Sequence, residues 1–313
     1  MIPVYMINGF LESGKSEFIK YTIAQPYFQS RSTTLLILCE EGEIEFEEKL
    51  LKKTRTVLEV IEDEEDFTIE NLEALVKKHK PSRIIIEYNG MWNCKDLVLP
   101  DNWGVEQQIT TIDATTFPMY YANMKSMVAE MVRKSEMIIF NRCDGLTSEL
   151  AGYKRNVKAV NPQAEIIFED SEGEINATLE EDLPYDLNAE VIELDTLEFG
   201  IWYLDMMDNP DRYIGKTIQF VGMVYRPKKF PAGFFVPGRM AMTCCADDMA
   251  FLGYACQFDG AKDLPEKSWV RVTAEVKVER FEGYRGEGPV LYAKKVVSTK
   301  EPKVPVIDFA GQP

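Results

Sequence analysis

Eight residues near the start of the chain have the types and spacing that bind phosphate. Gly9-Phe10-Leu11-Glu12-Ser13-Gly14-Lys15-Ser16 fits G-x-x-x-x-G-K-[ST]. The apolar run 2–7 before it reads as a buried strand and residues 17–24 after it as a helix, the context the motif requires. In such a loop the backbone amides and the helix N-terminus face phosphate oxygens. Lys15 reaches the β- and γ-phosphates, and the Ser16 hydroxyl coordinates Mg²⁺. Gly9, Glu12, Ser13, Gly14, Lys15 and Ser16 are therefore expected to bind a nucleotide, with Lys15 and Ser16 also serving catalysis. Glu12 is the odd member: a carboxylate inside the loop repels phosphate unless it points to solvent or to a cation.

Two further groups stand at strand ends, where open α/β sheets bind ligands. Glu87 closes the apolar run 83–86 and is the candidate for holding Mg²⁺ or its water; Glu40 and Glu41, after the run 33–38, are rivals for that role. Asn141-Arg142-Cys143-Asp144 follows the run 137–140. A carboxylate there can accept both the N1–H and the 2-amino group of guanine, a donor pair that adenine lacks, which would let Asp144 set base choice; the alternative is a turn residue in a common Asp-Gly pair with Gly145. Asn141 would hold the loop, and the stem of Arg142 would cover the base face.

These segments, in this order, resemble the CobW/HypB/UreG family of GTPases, and in particular its CobW-like metallochaperone branch. Residues 9–16 look like its GFLGAGKT-type loop, and 84–90 like its apolar strand ending in E-x-x-G. Thr111-Ile112-Asp113-Ala114 looks like its V-D-A strand end, Asn141–Asp144 like its N-K-x-D, and Asn161-Pro162-Gln163-Ala164 like its N-P-x-A segment. The resemblance spans about residues 1–170. It implies GTP and GDP as ligands, Mg²⁺ as cofactor and phosphoryl transfer to water. The C-x-C-C metal motif of the metallochaperone branch is missing: between the phosphate loop and E-x-x-G there is only Cys39.

Residues 213–222 and the R-x-x-x-T-C-C-x-x-D segment 239–248 look like the C-terminal domain of YcgQ-type proteins, partners of a predicted membrane permease. Cys244, Cys245 and Asp247 are close in sequence, and Cys256 lies on a following strand. Thiolates with a carboxylate suit Zn²⁺, although neighbouring residues on a regular strand point to opposite faces, so a shared site needs a broken strand. Buried and free thiols are the alternative.

The elements that would position these groups follow a clear grammar. Short apolar runs alternate with helical patterns through residue 170, including helices at 68–79 and 119–134, which implies a parallel sheet covered on both faces. An acidic linker, 171–198, carries little periodicity. Residues 199–313 then turn to β runs at 217–225, 239–244, 253–258, 269–280 and 290–297, after one helix at 197–207. Five strands in about 100 residues suggest a small barrel of the oligonucleotide-binding type. The fold class is thus α/β, a parallel-sheet P-loop GTPase domain followed by a small all-β barrel domain.

Composition narrows the partners. A formal charge of −17 argues against nucleic acid, which needs a basic face. The acidic runs 40–48 and 59–66 read as solvated loops and helix faces. No basic leader region precedes the first apolar run and no run reaches the roughly 20 residues of a membrane span, so a cytoplasmic location with reduced cysteines is expected. The single histidine, His79, leaves no basis for a serine-type triad. Expected partners are a guanine nucleotide, a metal-receiving protein or a membrane permease, and at most a second copy of the chain as a homodimer. The expected activity is slow Mg²⁺-dependent GTP hydrolysis linked to metal handling or a permease system. The alternative is a non-hydrolysing scaffold or binding module for a membrane permease complex, with Glu12 having degraded the phosphate site.

Overall fold

The computed structural model describes residues 1–40, 42, 45–95, 97–175, 183–243, 248–284 and 286–309. The chain divides into two compact units, Met1–Leu179 and Glu180–Pro313.

The first unit runs β1 (Ile2–Asn8), α1 (Lys15–Ala24), β2 (Thr34–Leu38), α2 (Glu48–Thr54), β3 (Thr56–Val60), α3 (Ile69–His79), β4 (Arg83–Glu87), β5 (Trp103–Asp113), α4 (Phe117–Asn123), α5 (Lys125–Arg133), β6 (Met137–Asn141), α6 (Leu150–Val160), β7 (Glu165–Asp170) and β8 (Gly173–Glu174). Its sheet has the order β3-β2-β4-β1-β5-β6-β7-β8. β1 pairs in parallel with both β4 and β5, and β8 alone runs antiparallel, as a hairpin on β7. Side chains alternate across a strand, so a sheet apolar on both sides must be covered twice. Val4, Met6, Ile84 and Ile86 pack with Leu72 of α3 on one face. Ile7, Leu36 and Ile85 pack with Ile19 and Ile23 of α1 on the other. Because β4 and β5 flank β1 on opposite sides, the chain reverses its winding there, and the carboxyl end of β1 opens onto a crevice.

The segment expected as one helix over 119–134 is two. α4 and α5 meet at Met124, whose φ of −131° and ψ of 37° leave the helical region. The first begins early because Pro118 favours a helix's first turn. α2 and α6 were not anticipated from the sequence.

The second unit runs β9 (Ile192–Glu193), α7 (Thr196–Asp208), β10 (Thr217–Tyr225), β11 (Phe234–Met242), β12 (Met249–Gly253), β13 (Ala255–Gln257), β14 (Trp269–Arg280), β15 (Glu287–Thr299) and β16 (Val306–Asp308). β10 pairs β14, β14 pairs β15, β15 pairs β13, β13 pairs β11 and β11 returns to β10, so five strands form the expected closed barrel. α7 starts with a capping box in which the Asp195 side chain and Glu198 satisfy each other's backbone amides. Its buried Phe199 and Trp202 meet Phe220 of the barrel at ring-centroid separations of 4.8 and 5.6 Å.

Arg239, in the segment R-x-x-x-T-C-C, is 2% exposed. Its Nε donates to Val221 O at 2.8 Å, and its Nη1 to Thr196 Oγ1 at 2.6 Å and Val304 O at 3.0 Å. Burial pulls its pKa down to about 10. The guanidinium therefore joins β11 to β10, to the start of α7 and to the segment leading into β16. Arg239→Ala would remove three buried hydrogen bonds and open a cavity. It should destabilise the unit by about 3 kcal/mol, read as a lower midpoint in denaturant unfolding of the full chain. A loss under about 0.5 kcal/mol, the range of an ordinary surface change, would contradict this role.

Candidate functional site

The phosphate loop lies between β1 and α1, at the crevice. Asn8, the last residue of β1, is fully buried, and its amide donates to Met131 O at 3.2 Å while its oxygen accepts from Thr110 Oγ1 at 2.9 Å. That fixes where the loop departs. Ser13 Oγ and Thr111 Oγ1 are 2.9 Å apart, and the Phe10 ring stacks on Tyr120 with centroids 4.1 Å apart. Gly14 caps α1 at φ 94°, and a Cβ there would lie 2.4 Å from Asn141 Nδ2. That amide donates to Ser13 O at 2.7 Å, so glycine at 14 allows the Asn141 loop to hold the phosphate loop. Lys15, 3% exposed, donates to the carbonyls of Gly9 and Phe10 at 2.9 Å each and pairs with Glu40. Glu12 is exposed and sits at φ 61°, a left-handed conformation costing a side chain about 1–2 kcal/mol.

Glu87 ends β4 beside this loop. Its Oε1 accepts from Ser16 Oγ at 2.7 Å, whereas its Oε2 is buried without a hydrogen-bond partner. Burial pushes the Glu87 carboxyl up. Ser16 and Lys15 oppose the rise, and the charges of Glu40 and Glu12 add to it. A hydroxyl, a buried carboxylate with an unsatisfied oxygen and surplus negative charge form an oxygen donor set of the kind Mg²⁺ takes. Three residues on, Gly90 packs under the loop: a Cβ would lie 2.3 Å from Gly9 O and 2.7 Å from Phe10 Cα.

β6 delivers the third group. Arg142 adopts φ 55° and donates through Nη1 to Glu12 O at 2.8 Å and to Asp113 Oδ2 at 2.5 Å. Burial pushes the Asp113 carboxyl up, but hydrogen bonds from Thr115 and Arg142 outweigh it and hold the group below the usual range. Asp144 is exposed at the crevice rim, where its Oδ1 accepts from Ser171 Oγ at 2.5 Å and from Ser171 N at 3.2 Å. Those bonds hold Asp144 low and ionised, the state that accepts hydrogen bonds from a base edge. Burial pushes the Cys143 thiol up to about 11. The loop thus offers a carboxylate and the buried amide oxygen of Asn141, which has no hydrogen-bond partner.

A family model described as the CobW/HypB/UreG nucleotide-binding domain matches residues 3–168, more than half of the chain. The chain belongs to the CobW/HypB/UreG family. A model described as the DUF1980 C-terminal domain matches residues 170–307. No curated protein matches the chain. Among solved structures, hydrogenase maturation factor HypB from Archaeoglobus fulgidus is similar at 18% identity and a TM-score of 0.39, over 55% of this chain and 82% of that one. Zn(II)-bound YjiA GTPase from E. coli is similar at 16% identity and a TM-score of 0.42, over 72% and 73%. The mitochondrial single-stranded DNA binding protein Rim1 of S. cerevisiae shares 14% identity at a TM-score of 0.20, over 28% and 99%.

In this member of the CobW/HypB/UreG family the structure gathers Gly9, Glu12, Ser13, Gly14, Lys15, Ser16, Glu87, Asn141 and Arg142 at one end of the sheet, with Asp144 on the same rim. Asn161 of the N-P-x-A segment plays a packing part: its amide donates to Val132 O at 2.7 Å and Ser135 O at 2.8 Å at the end of α5. Ser171 was missed as a site residue, because nothing in its own sequence marks a hydrogen bond made across the fold; Asp113 and Gly90 were singled out by the V-D-A and E-x-x-G resemblances but given no role. Cys244, Cys245, Asp247 and the rival Glu41 lie outside the described residues. Cys256 is fully buried on β13, and burial pushes its thiol up. Among the described residues no group of three or more His, Cys, Asp or Glu could hold a metal ion, and no helix is long and apolar enough to cross a membrane.

Two outcomes follow from this geometry. Gly90→Ala should displace the loop and weaken nucleotide binding at least tenfold; unchanged affinity in calorimetry would contradict the close approach. Glu87 has a raised pKa when folded, so its stabilising contribution is present at low pH and lost as pH rises through that pKa. Without nucleotide, Glu87→Gln should melt higher than the parent at pH 7, the gain shrinking as pH falls from the raised pKa of Glu87 towards the ordinary carboxylate value. An equal or lower melting temperature at pH 7 would contradict this.

Proposed function

We propose that the chain binds guanine nucleotides with Mg²⁺ and slowly hydrolyses GTP to GDP and phosphate. The observation that carries this is the convergence of Lys15, Ser16 and Glu87 with the Asn141–Asp144 loop at one crevice. Ser16 and Glu87 would hold Mg²⁺, which when bound neutralises charge on the phosphates. Loop amides and Lys15 bind and orient the phosphate chain. Asn141 and Arg142 bind the guanine loop to the phosphate loop. Asp144, fixed by Ser171, accepts the two guanine donors and rejects adenine. Turnover is slow because the Glu12 carboxylate in the loop opposes the charge that builds on the transferring group.

The chain's second role is metal handling or service to a membrane permease, in the cytoplasm, with GTP state controlling a partner. Membership of the CobW/HypB/UreG family supports the metal link. The chain would further take Zn²⁺ at Cys244 and Cys245 with Asp247 or Cys256, and assemble as a homodimer. The boundary between the nucleotide domain and the barrel domain is placed within 171–198.

Calorimetry of the full chain with GTP, GDP and ATP in Mg²⁺ tests the nucleotide part. GTP and GDP should bind, ATP should bind at least 100-fold more weakly given the unpaired groups it leaves, and Lys15→Ala should abolish binding. Equal affinity for ATP would remove the role of Asp144. Binding that survives Lys15→Ala would remove that of the loop.

A further inference from the structure

Four sulfur-bearing residues outside the phosphate site line one cavity of about 300 Å³. Met91 and Cys94 come from the segment after β4, and Met127 and Met131 from α5. Residues four apart lie on one face of a helix, so α5 presents both of its methionines to the same side. Methionine usually fills irregular gaps in a core, but here the sulfur residues surround space that stays unfilled. The wall runs from Met131, 4% exposed, to Met91, 60% exposed, which gives the cavity a floor and a way in from solvent. Cys94 is half-buried, and Asn8 Nδ2 donates to its Sγ at 3.8 Å. The same amide donates to Met131 O at 3.2 Å, so one side chain ties the loop thiol to α5. Glu130, the carboxylate of the wall, is engaged by Lys95 Nζ and by Arg133 Nε at 3.2 Å each. The donors left over are one thiol and three thioethers.

We infer that Met91, Cys94, Met127 and Met131 form a binding site for a soft monovalent cation, Cu(I), with the Cys94 thiolate as anchor and thioethers completing the shell. Zn²⁺ takes thiolate, imidazole and carboxylate, whereas thioethers suit a soft cation such as Cu(I). One thiolate also balances Cu(I) charge for charge, while a divalent ion would keep a net positive charge in a mostly apolar cavity. As the cation binds, the S–H bond gives way to an S–Cu bond and the proton leaves to solvent. Neither residues 9–16 nor Cys244 and Cys245 take part, so the site stands or falls apart from the proposed nucleotide and Zn²⁺ binding.

Cu(I) held by a chromogenic chelator of known affinity is offered to the reduced full chain under anaerobic conditions, and the copper that the chain withdraws is measured. Melting curves confirm that each variant folds. Cys94→Ser keeps the size of the side chain and an acceptor for Asn8. Met91→Leu combined with Met127→Leu keeps apolar volume while removing two thioethers; Met131 is left in place because its burial makes it part of the core. Cys94→Ser should weaken Cu(I) binding roughly 100-fold, and the double leucine variant roughly tenfold. With selenomethionine in place of methionine, absorption at the copper edge should show selenium in the first shell of the parent and lose most of that signal in the double leucine variant. Copper that both variants bind as tightly as the parent would overturn the proposal, because it would then sit on other thiols. Loss in Cys94→Ser with no effect of the leucines would overturn it as well, since the thiol would then act without thioethers. A parent chain that withdraws no copper, or a Cys94-dependent preference for Zn²⁺ over Cu(I), would also overturn it.

Discussion

The buried ammonium of Lys15 is the constraint on which the site depends. Taking a charge of that size out of water costs several kcal/mol unless oxygens surround it. The chain supplies them from three directions: the reversed loop after β1, the end of β2 and, a little farther out, the end of β4. Each source needs the parallel sheet in its observed order, with β4 beside β1 and β2 next to it, so that three strand ends open on one rim. The close contact of Gly90 with Gly9 and the grip of Asn141 on Ser13 then hold the loop around the charge. Such a buried cation among preset oxygens and amides is poised for phosphate, and family membership agrees with that chemistry.

The same rim carries an unusual share of negative charge. Glu12 stands where the loops that this one resembles have glycine, in a left-handed conformation that glycine adopts without strain. Its carboxylate is exposed, and its carbonyl is used by Arg142, which also holds Asp113. The backbone of the loop is thus kept in shape from outside by a guanidinium on the neighbouring strand end. Glu12, Glu40 and Glu87 together make a rim that favours a phosphate chain accompanied by a cation over a bare one. Charge balance, rather than loop shape, is where this site departs most from the pattern it resembles.

Much of this was legible in the sequence because local signals and tertiary demands agree. The strand at 83–87 is a short apolar run with a carboxylate at its end, and it needs nothing distant to be recognised. The barrel strands at 217–225 and 269–280 alternate cleanly and were readable for the same reason. α6 was less legible: Leu150, Tyr153 and Val157 do recur at helical spacing, yet no side-chain cap marks its start. The split between α4 and α5 is likewise set at Met124 by packing, since the residue itself is a good helix former. Ser171, Asp113 and Gly90 act through partners 27, 29 and 81 residues away, and no local pattern announces such pairings. Arg239 read as part of a motif whose chemistry was unknown; its burial among carbonyls gives that residue a structural reason.

In the proposed function Lys15, Ser16 and Glu87 form a phosphate and divalent-cation site read by a guanine-specific loop. A crystal structure of the chain with Mn²⁺ and a non-hydrolysable GTP analogue tests it most directly, because the anomalous signal locates the cation without assumption. The expected result is one Mn²⁺ in contact with Ser16 Oγ and the phosphates, with Glu87 directly or through water completing its shell, and with the base edge on Asp144. A cation elsewhere, or a base turned away from Asp144 with Lys15 still bound only to protein oxygens, would contradict it.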